Sequence, residues 1–338
     1  MRIAFVGKGG SGKTTVSCLF ALSLCGNEHQ MQGAKPKPVA LFDADINAHL
    51  HGLLGIDIPP SKKHLSHPRA AASIRKWLKG NNDITDIDAF RKTTPPTRKS
   101  NIVRISELHA DSSPLSSFFT KITSMPNLSI FTVGTYEGAD IGSGCYHNNL
   151  AILENILSHM DDSDGYAIAD MVAGTDAFAG TLHSQFDLVC IVVEPTMRSI
   201  EVYRQYENLA KAAGVNDGVM VMGNKVRGKQ DIDFISQNIP HDRLIGMLND
   251  DAHIREHDQR GGSLDFSRID DRNKEIFYHI QKVLAAKSAD YPKLAKERLM
   301  RLHALHRKYI SQPSIRSRFG DLSGQIDQDF TFTHDAHE

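Results

Sequence analysis

Nine residues near the start of the chain, Gly7-Lys8-Gly9-Gly10-Ser11-Gly12-Lys13-Thr14-Thr15, constrain its fold more than any other stretch. Arg2-Ile3-Ala4-Phe5-Val6 before them reads as a buried strand, and residues 16–24 after them read as a helix. A strand, a glycine loop and a helix at the spacing GxxxxGK[ST] make a phosphate-binding P-loop. Gly9, Gly10 and Gly12 let the backbone turn tightly, so that N–H groups from Gly9 to Thr15, Ser11 included, can converge on phosphate oxygens. The helix N-terminus adds a favourable dipole. Lys13 is expected to reach the β- and γ-phosphates, and the Thr14 hydroxyl to ligate Mg²⁺. The alternative, a glycine-rich turn that binds nothing, does not explain why a strand and a helix flank it.

Further apolar runs at 39–42, 128–133, 166–169, 188–193, 219–222 and 244–248 alternate with helical patterns at 148–159, 200–213 and 232–238. Continuous apolar strands between amphipathic helices predict an α/β fold with a doubly wound, mostly parallel sheet. Ligands of such sheets gather at the carboxyl ends of the strands, where Gly7, Asp43, Asp170 and Asn224 fall. The alternation continues to about residue 287. We therefore expect one large domain, 1–287, followed by a helical extension and tail, 288–338.

Two segments stand apart. Residues 56–126, with Pro59-Pro60 and Pro95-Pro96 and little strand pattern, read as an insertion. Between Ser61 and Arg104 eleven Lys/Arg face three Asp/Glu, an excess of +8 in a chain whose net charge is −1. Such a surface can dock an acidic partner or nucleic acid. Few aromatic residues interleave with the cations, so stacking on single strands is poorly served, and a solvated basic surface offset by an acidic body is the simpler reading. Residues 293–310 form a basic amphipathic helix. Such helices can lie on membranes, but the polar residues that follow favour packing on the body or on a partner. The tail after Gln312 is expected to be loosely ordered.

Composition narrows the setting. With 40% hydrophobic and 23% charged residues over 338 positions, the chain is an ordinary globular protein able to bury a substantial core. Cys18, Cys25, Cys145 and Cys190 are too scattered for a disulfide framework, which points to a reducing cytoplasm. A strand that starts this early leaves no room for a signal peptide, and no apolar run reaches the length of a membrane span. Neither nucleic acid nor membrane is an expected partner.

Three further stretches carry chemistry. Asp43 and Asp45 close the second apolar run, where hydrolysis would need a water-orienting group and Mg²⁺ a carboxylate. Tyr166-Ala167-Ile168-Ala169-Asp170 is an apolar strand ending in an acid, the Walker B arrangement, and it runs on to Gly174. Without a side chain, Gly174 can change φ/ψ as a loop switches. Asn224 can offer donor and acceptor to an adenine edge while the Lys225 stem covers the ring. Arg227 stands where guanine-binding proteins place an aspartate and cannot accept a hydrogen bond, which favours ATP over GTP.

Lys8 gives the loop the form Lys-Gly-Gly-x-Gly-Lys-Thr-Thr, which resembles the deviant Walker A ATPases: MinD, ParA, the nitrogenase iron protein and the CooC-type ATPases that mature nickel carbon monoxide dehydrogenase. The resemblance implies an ATP-dependent homodimer in which Lys8 reaches the partner's nucleotide as a cation supplied in trans. It assigns Asp45 to water positioning, Asp43 and Asp170 to the magnesium environment, and the Gly174 amide to sensing γ-phosphate. Gly142-Ser143-Gly144-Cys145-Tyr146-His147-Asn148-Asn149 is similar to the metal-binding region of the CooC type, where a Cys-x-Cys pair from each of two subunits holds one ion. Here His147 replaces the second cysteine, and 246–250 lacks the usual proline. The extension has no counterpart. Cys145 and His147 still suit Zn²⁺ or Ni²⁺, although a packed cysteine beside a surface histidine is an equal alternative. The implied function couples nucleotide state to metal insertion into a client metalloenzyme. Its rivals are a MinD/ParA-type positioning ATPase on DNA or membrane, and a nucleotide-gated binding module with little turnover.

Overall fold

Strand-forming runs in this chain are apolar on both faces, so the sheet they build has to be covered on both sides. The computed structural model describes residues 1–26, 36–82, 84, 86–108, 113–135 and 146–332. In chain order the first half contains β1 (Arg2–Gly7), α1 (Lys13–Cys25), β2 (Val39–Ala44), α2 (Leu50–Leu53), α3 (Pro68–Lys79), β3 (Val103–Arg104), β4 (Phe119–Ile122), β5 (Met125–Thr132), α4 (Tyr146–Ser158), β6 (Met160–Asp161) and β7 (Tyr166–Met171). The second half contains β8 (Leu188–Val193), α5 (Met197–Ala212), β9 (Val219–Val226), α6 (Lys229–Asn238), β10 (Leu244–Asn249), α7 (Ala252–Arg260), α8 (Asp271–Ser288), α9 (Tyr291–Ile310) and α10 (Pro313–Phe319).

Eight strands form one sheet in the order β10-β9-β8-β1-β7-β2-β5-β4, and β3 pairs separately with β6. All neighbours in the large sheet are parallel except β4, which runs antiparallel to β5 at the edge. Alternate residues serve opposite layers. Ile3 and Phe5 of β1, with Leu41 and Ile168, face a core closed by α1 and α8. Ala4 and Val6, with Phe42 and Ala169, face a second core filled from α3, α4, α5 and α6. Each fully buried large side chain contributes roughly 1.5–3 kcal/mol, so both layers hold the strands at fixed register. That register matters for chemistry: Asp43 on β2 is the Cα partner of Asp170 on β7 and of Thr132 on β5.

The insertion holds more structure than its sequence suggests. It supplies α3, the edge strand β4 and the core residues Leu65, Ile74, Leu78 and Leu115. The sequence reading of a loose tail after Gln312 is corrected through residue 332. Gln325 and Phe330 are buried, and Arg98 pairs with Asp327 at 2.9 Å. The amphipathic helix, α9, packs on the body. Its Arg298 ion-pairs with Asp187 and, at 2.8 Å, with Asp162, both buried at the amino end of the sheet. No helix among the described residues is long and apolar enough to cross a membrane.

Candidate active site

Helix α1 begins at Lys13 with no side-chain cap, because its N-cap is Gly12 in a left-handed conformation at φ 90°. The first N–H groups of the helix are thus left for an anion rather than for a serine or aspartate oxygen. Only glycine fits there: a Cβ on Gly12 would come within 2.3 Å of Asn224 Nδ2. Lys8 lies at the surface and donates to the Gly9 carbonyl at 3.1 Å.

Lys13 and Asp45 are both buried, and the ammonium donates to Asp45 Oδ2 at 2.5 Å. Burial alone would lift the Asp45 pKa. The hydrogen bond and charge of Lys13 outweigh it and hold the carboxyl below the usual range. Asn47 braces the other oxygen through its backbone and side-chain amides, each at 3.1 Å. Beneath them, Asp170 is fully buried and neither of its oxygens has a hydrogen-bond partner. Burial drives its pKa well up; Lys13 and Thr14 work against this, while Asp43 and Asp45 add to it. Asp43 is also fully buried. Its Oδ2 accepts from the Leu50 N–H at 3.2 Å, and Oδ1 is bare. Burial raises its pKa as well, opposed by His51 and the Leu50 N–H.

These groups lie at and below the floor of a cleft of about 1360 Å³, walled by the loop, the β9 end at Asn224 and Lys225, and α7. The cleft exceeds the volume of most small-ligand sites. Asn224 and Lys225 do reach the loop, but in a role the sequence did not suggest. Asn224 donates to the Ser11 carbonyl at 2.8 Å, and Lys225 donates to the Gly10 carbonyl at 2.6 Å while pairing with Glu194 at 2.8 Å. Here both brace the P-loop backbone. Similarly, the Gly174 amide donates to the Gly7 carbonyl at 3.1 Å, so it must leave that bond before it can sense a phosphate. Arg227 pairs with Asp250, which also holds Arg255 of α7.

Sequence reasoning missed Glu194, His51 and the whole α7 wall. The wall had a signal: Asp251 caps α7 by accepting from the His253 and Ile254 amides, and Gly261 follows the helix. Cys145 and the side chain of His147 lie outside the described residues. Among the described residues, no three His, Cys, Asp or Glu side chains form a group able to hold a metal ion.

The sheet order, the strand-end acids and the glycine loop define a P-loop nucleotide hydrolase fold. Solved structures agree on the fold. The chain aligns over 82% of its length with 98% of a ParA family ATPase from Chlorobium tepidum, at a TM-score of 0.56 and 16% identity. It aligns over 85% with 99% of a plasmid partition protein from Borrelia burgdorferi bound to AMPPNP, at 0.51 and 14%. No family model matches the chain. Among curated proteins it is 27% identical over 262 residues to the carbon monoxide dehydrogenase accessory protein CooC of Rhodospirillum rubrum, covering 77% of this chain and 88% of that one. It is 25% identical over 256 residues to an uncharacterized ATP-binding protein of Methanocaldococcus jannaschii, covering 75% and 90%. In fold the chain is similar to P-loop ATPases of the ParA type, and its similarity in sequence to CooC runs through most of its length.

Proposed function

We propose that this chain binds and hydrolyses ATP in the cytoplasm, closes as a homodimer in the ATP state, and uses that change to assist maturation of a metalloenzyme. The observation that carries the hydrolytic part is the buried Lys13–Asp45 pair at the cleft floor, set above the unpartnered carboxylate of Asp170. The likeness to CooC supports the maturation part.

The donor set suits Mg²⁺. Two bare Asp170 oxygens, the bare Asp43 Oδ1 and the Thr14 hydroxyl are hard oxygen ligands of the kind the ion prefers. When bound with nucleotide, Mg²⁺ would neutralise charge on the terminal phosphates. The chain's own residues divide the remaining work. Gly9 to Thr15 offer backbone N–H groups to the phosphates. Lys13 exchanges Asp45 for phosphate oxygens, and the freed Asp45 orients the attacking water. Lys8 serves the partner's nucleotide. A Zn²⁺ or Ni²⁺ site at Cys145 and His147, shared across the dimer, rests on the resemblance alone.

Light scattering with ADP and ATP, paired with a turnover assay, tests this. ATP should double the mass. Lys13→Ala should lose nucleotide binding, and Lys8→Ala should keep binding as a monomer but fail to dimerise. A single mass in every nucleotide state would remove the switch, and unchanged turnover in Lys13→Ala would remove the P-loop reading. Cosedimentation of the ATP form with DNA or liposomes would instead favour a positioning ATPase.

A further inference from the structure

One buried polar side chain beside the carboxylates has no part in the roles above. His51, on the short helix α2, is completely buried. Its Nδ1 makes no hydrogen bond and stands 3.8 Å from Asp43 Oδ2, and its Nε2 stands 3.4 Å from Thr132 Oγ1. Asp43 and Thr132 are cross-strand partners, so one imidazole bridges the ends of β2 and β5. Burying a ring nitrogen without a partner is costly, because its lost hydration is not replaced. A position that needed only volume would be filled at less cost by a leucine, as its buried helix neighbours Leu50 and Leu53 are.

We infer that His51 is a positioning residue for Asp43: with Nε2 accepting from the Thr132 hydroxyl, the ring proton sits on Nδ1, facing Asp43 Oδ2. Closing that 3.8 Å gap would tie down one carboxylate oxygen, which already accepts from the Leu50 N–H at 3.2 Å, and would leave the bare Oδ1 for a cation. The ring would do what outer-shell partners do around bound metals, where losing such a partner weakens the metal by about 10–100-fold. This inference rests on the reading of Asp43 and Asp170 as the magnesium environment.

Mn²⁺ can stand in for Mg²⁺ in the test, titrated by electron paramagnetic resonance into AMPPNP-loaded wild type, His51→Leu, His51→Asn and His51→Gln. Urea stability is measured alongside. Asparagine places an amide near Nδ1 and glutamine near Nε2, so the two separate the Asp43 side of the ring from the Thr132 side. His51→Leu should weaken Mn²⁺ by about tenfold or more. His51→Asn should bind close to wild type, and His51→Gln should not. The inference is overturned if His51→Leu binds Mn²⁺ like wild type, or if Mn²⁺ affinity in the variants simply follows their urea stability. If His51→Leu does not fold, the Asn/Gln contrast decides. A wild type that takes up neither AMPPNP nor Mn²⁺ would sink the ATPase reading itself, which is a distinct result from an indifferent His51.

Discussion

Lys13 is held by Asp45 at the place where phosphates should sit, so nucleotide has to compete for the ammonium. A buried ion pair must be exchanged rather than merely extended, because either charge left alone in that setting is costly. Removing the Asp45 charge should therefore separate two effects that a simple catalytic role would merge. Asp45→Asn is expected to bind ATP as tightly as wild type or more tightly, since Lys13 is released. Its turnover should fall by about 10²-fold or more for want of the water-orienting group. Equilibrium binding of a fluorescent ATP analogue with single-turnover hydrolysis checks both halves, and weaker binding would contradict the competition. At this scale, the residues whose placement around the cleft was legible in the sequence were those set by local spacing: the loop, Asp43, Asp45 and Asp170. His51 was not legible, because its meaning depends on Thr132, which is 81 positions away and reaches it through strand pairing.

Between elements, the P-loop is steadied by the end of β9. Lys225 takes a left-handed backbone conformation, φ 59°, and with Asn224 it supplies donors to two loop carbonyls. Glu194, after β8, fixes Lys225 in turn. Without the Asn224 amide the Ser11 carbonyl loses its partner, an expense of about 1–3 kcal/mol, and the loop loses its set shape. Asn224→Ala should thus weaken triphosphate and diphosphate alike by about 10-fold or more, whatever the base. Titrating ATP, GTP and inorganic triphosphate distinguishes this from base recognition, for which triphosphate alone would bind as in wild type. The central strands were legible because they are apolar throughout. β4 was missed because it is a four-residue antiparallel edge in which only Phe119 is buried. α7 was missed because its one buried side chain is His257, so it carries no apolar stripe.

Across the whole molecule, the two segments that stood apart in the sequence pack against each other. Arg91 donates to the Tyr309 hydroxyl at 3.0 Å, Thr93 meets His306 at 2.9 Å, and Thr94 bonds Gln325 at 3.3 Å. The extension therefore grips the insertion at one end of α9 and the base of the sheet, through Arg298, at the other. No local pattern could show this, since the partners lie more than two hundred residues apart. The grip has a pH dependence whose sign is fixed by burial. Burial pushes the His306 pKa down to about 4, so between pH 6.5 and 4 the unfolded chain binds a proton that the folded one refuses. The stability tied to neutral His306 is full above pH 6.5 and falls by up to about 3 kcal/mol as pH drops to 4. Asp162 does not act in this window. Although burial opposes it, the charges of Arg2 and Arg298 depress its pKa far below the usual value, and its contribution is lost only in stronger acid. Glu154 acts the opposite way: burial raises its pKa to about 7, so its contribution declines as pH rises through neutrality. A bare stability–pH curve mixes these opposing terms, but the difference between wild type and a His306 variant isolates one of them. His306→Leu should be the less stable protein at pH 7.5, where it has lost the bond to Thr93. Its deficit should shrink steadily, or reverse, as pH falls from 6.5 to 4. Urea unfolding of both proteins at half-unit steps checks this, and a deficit that stays constant across the window would mean that His306 titrates as it does in water.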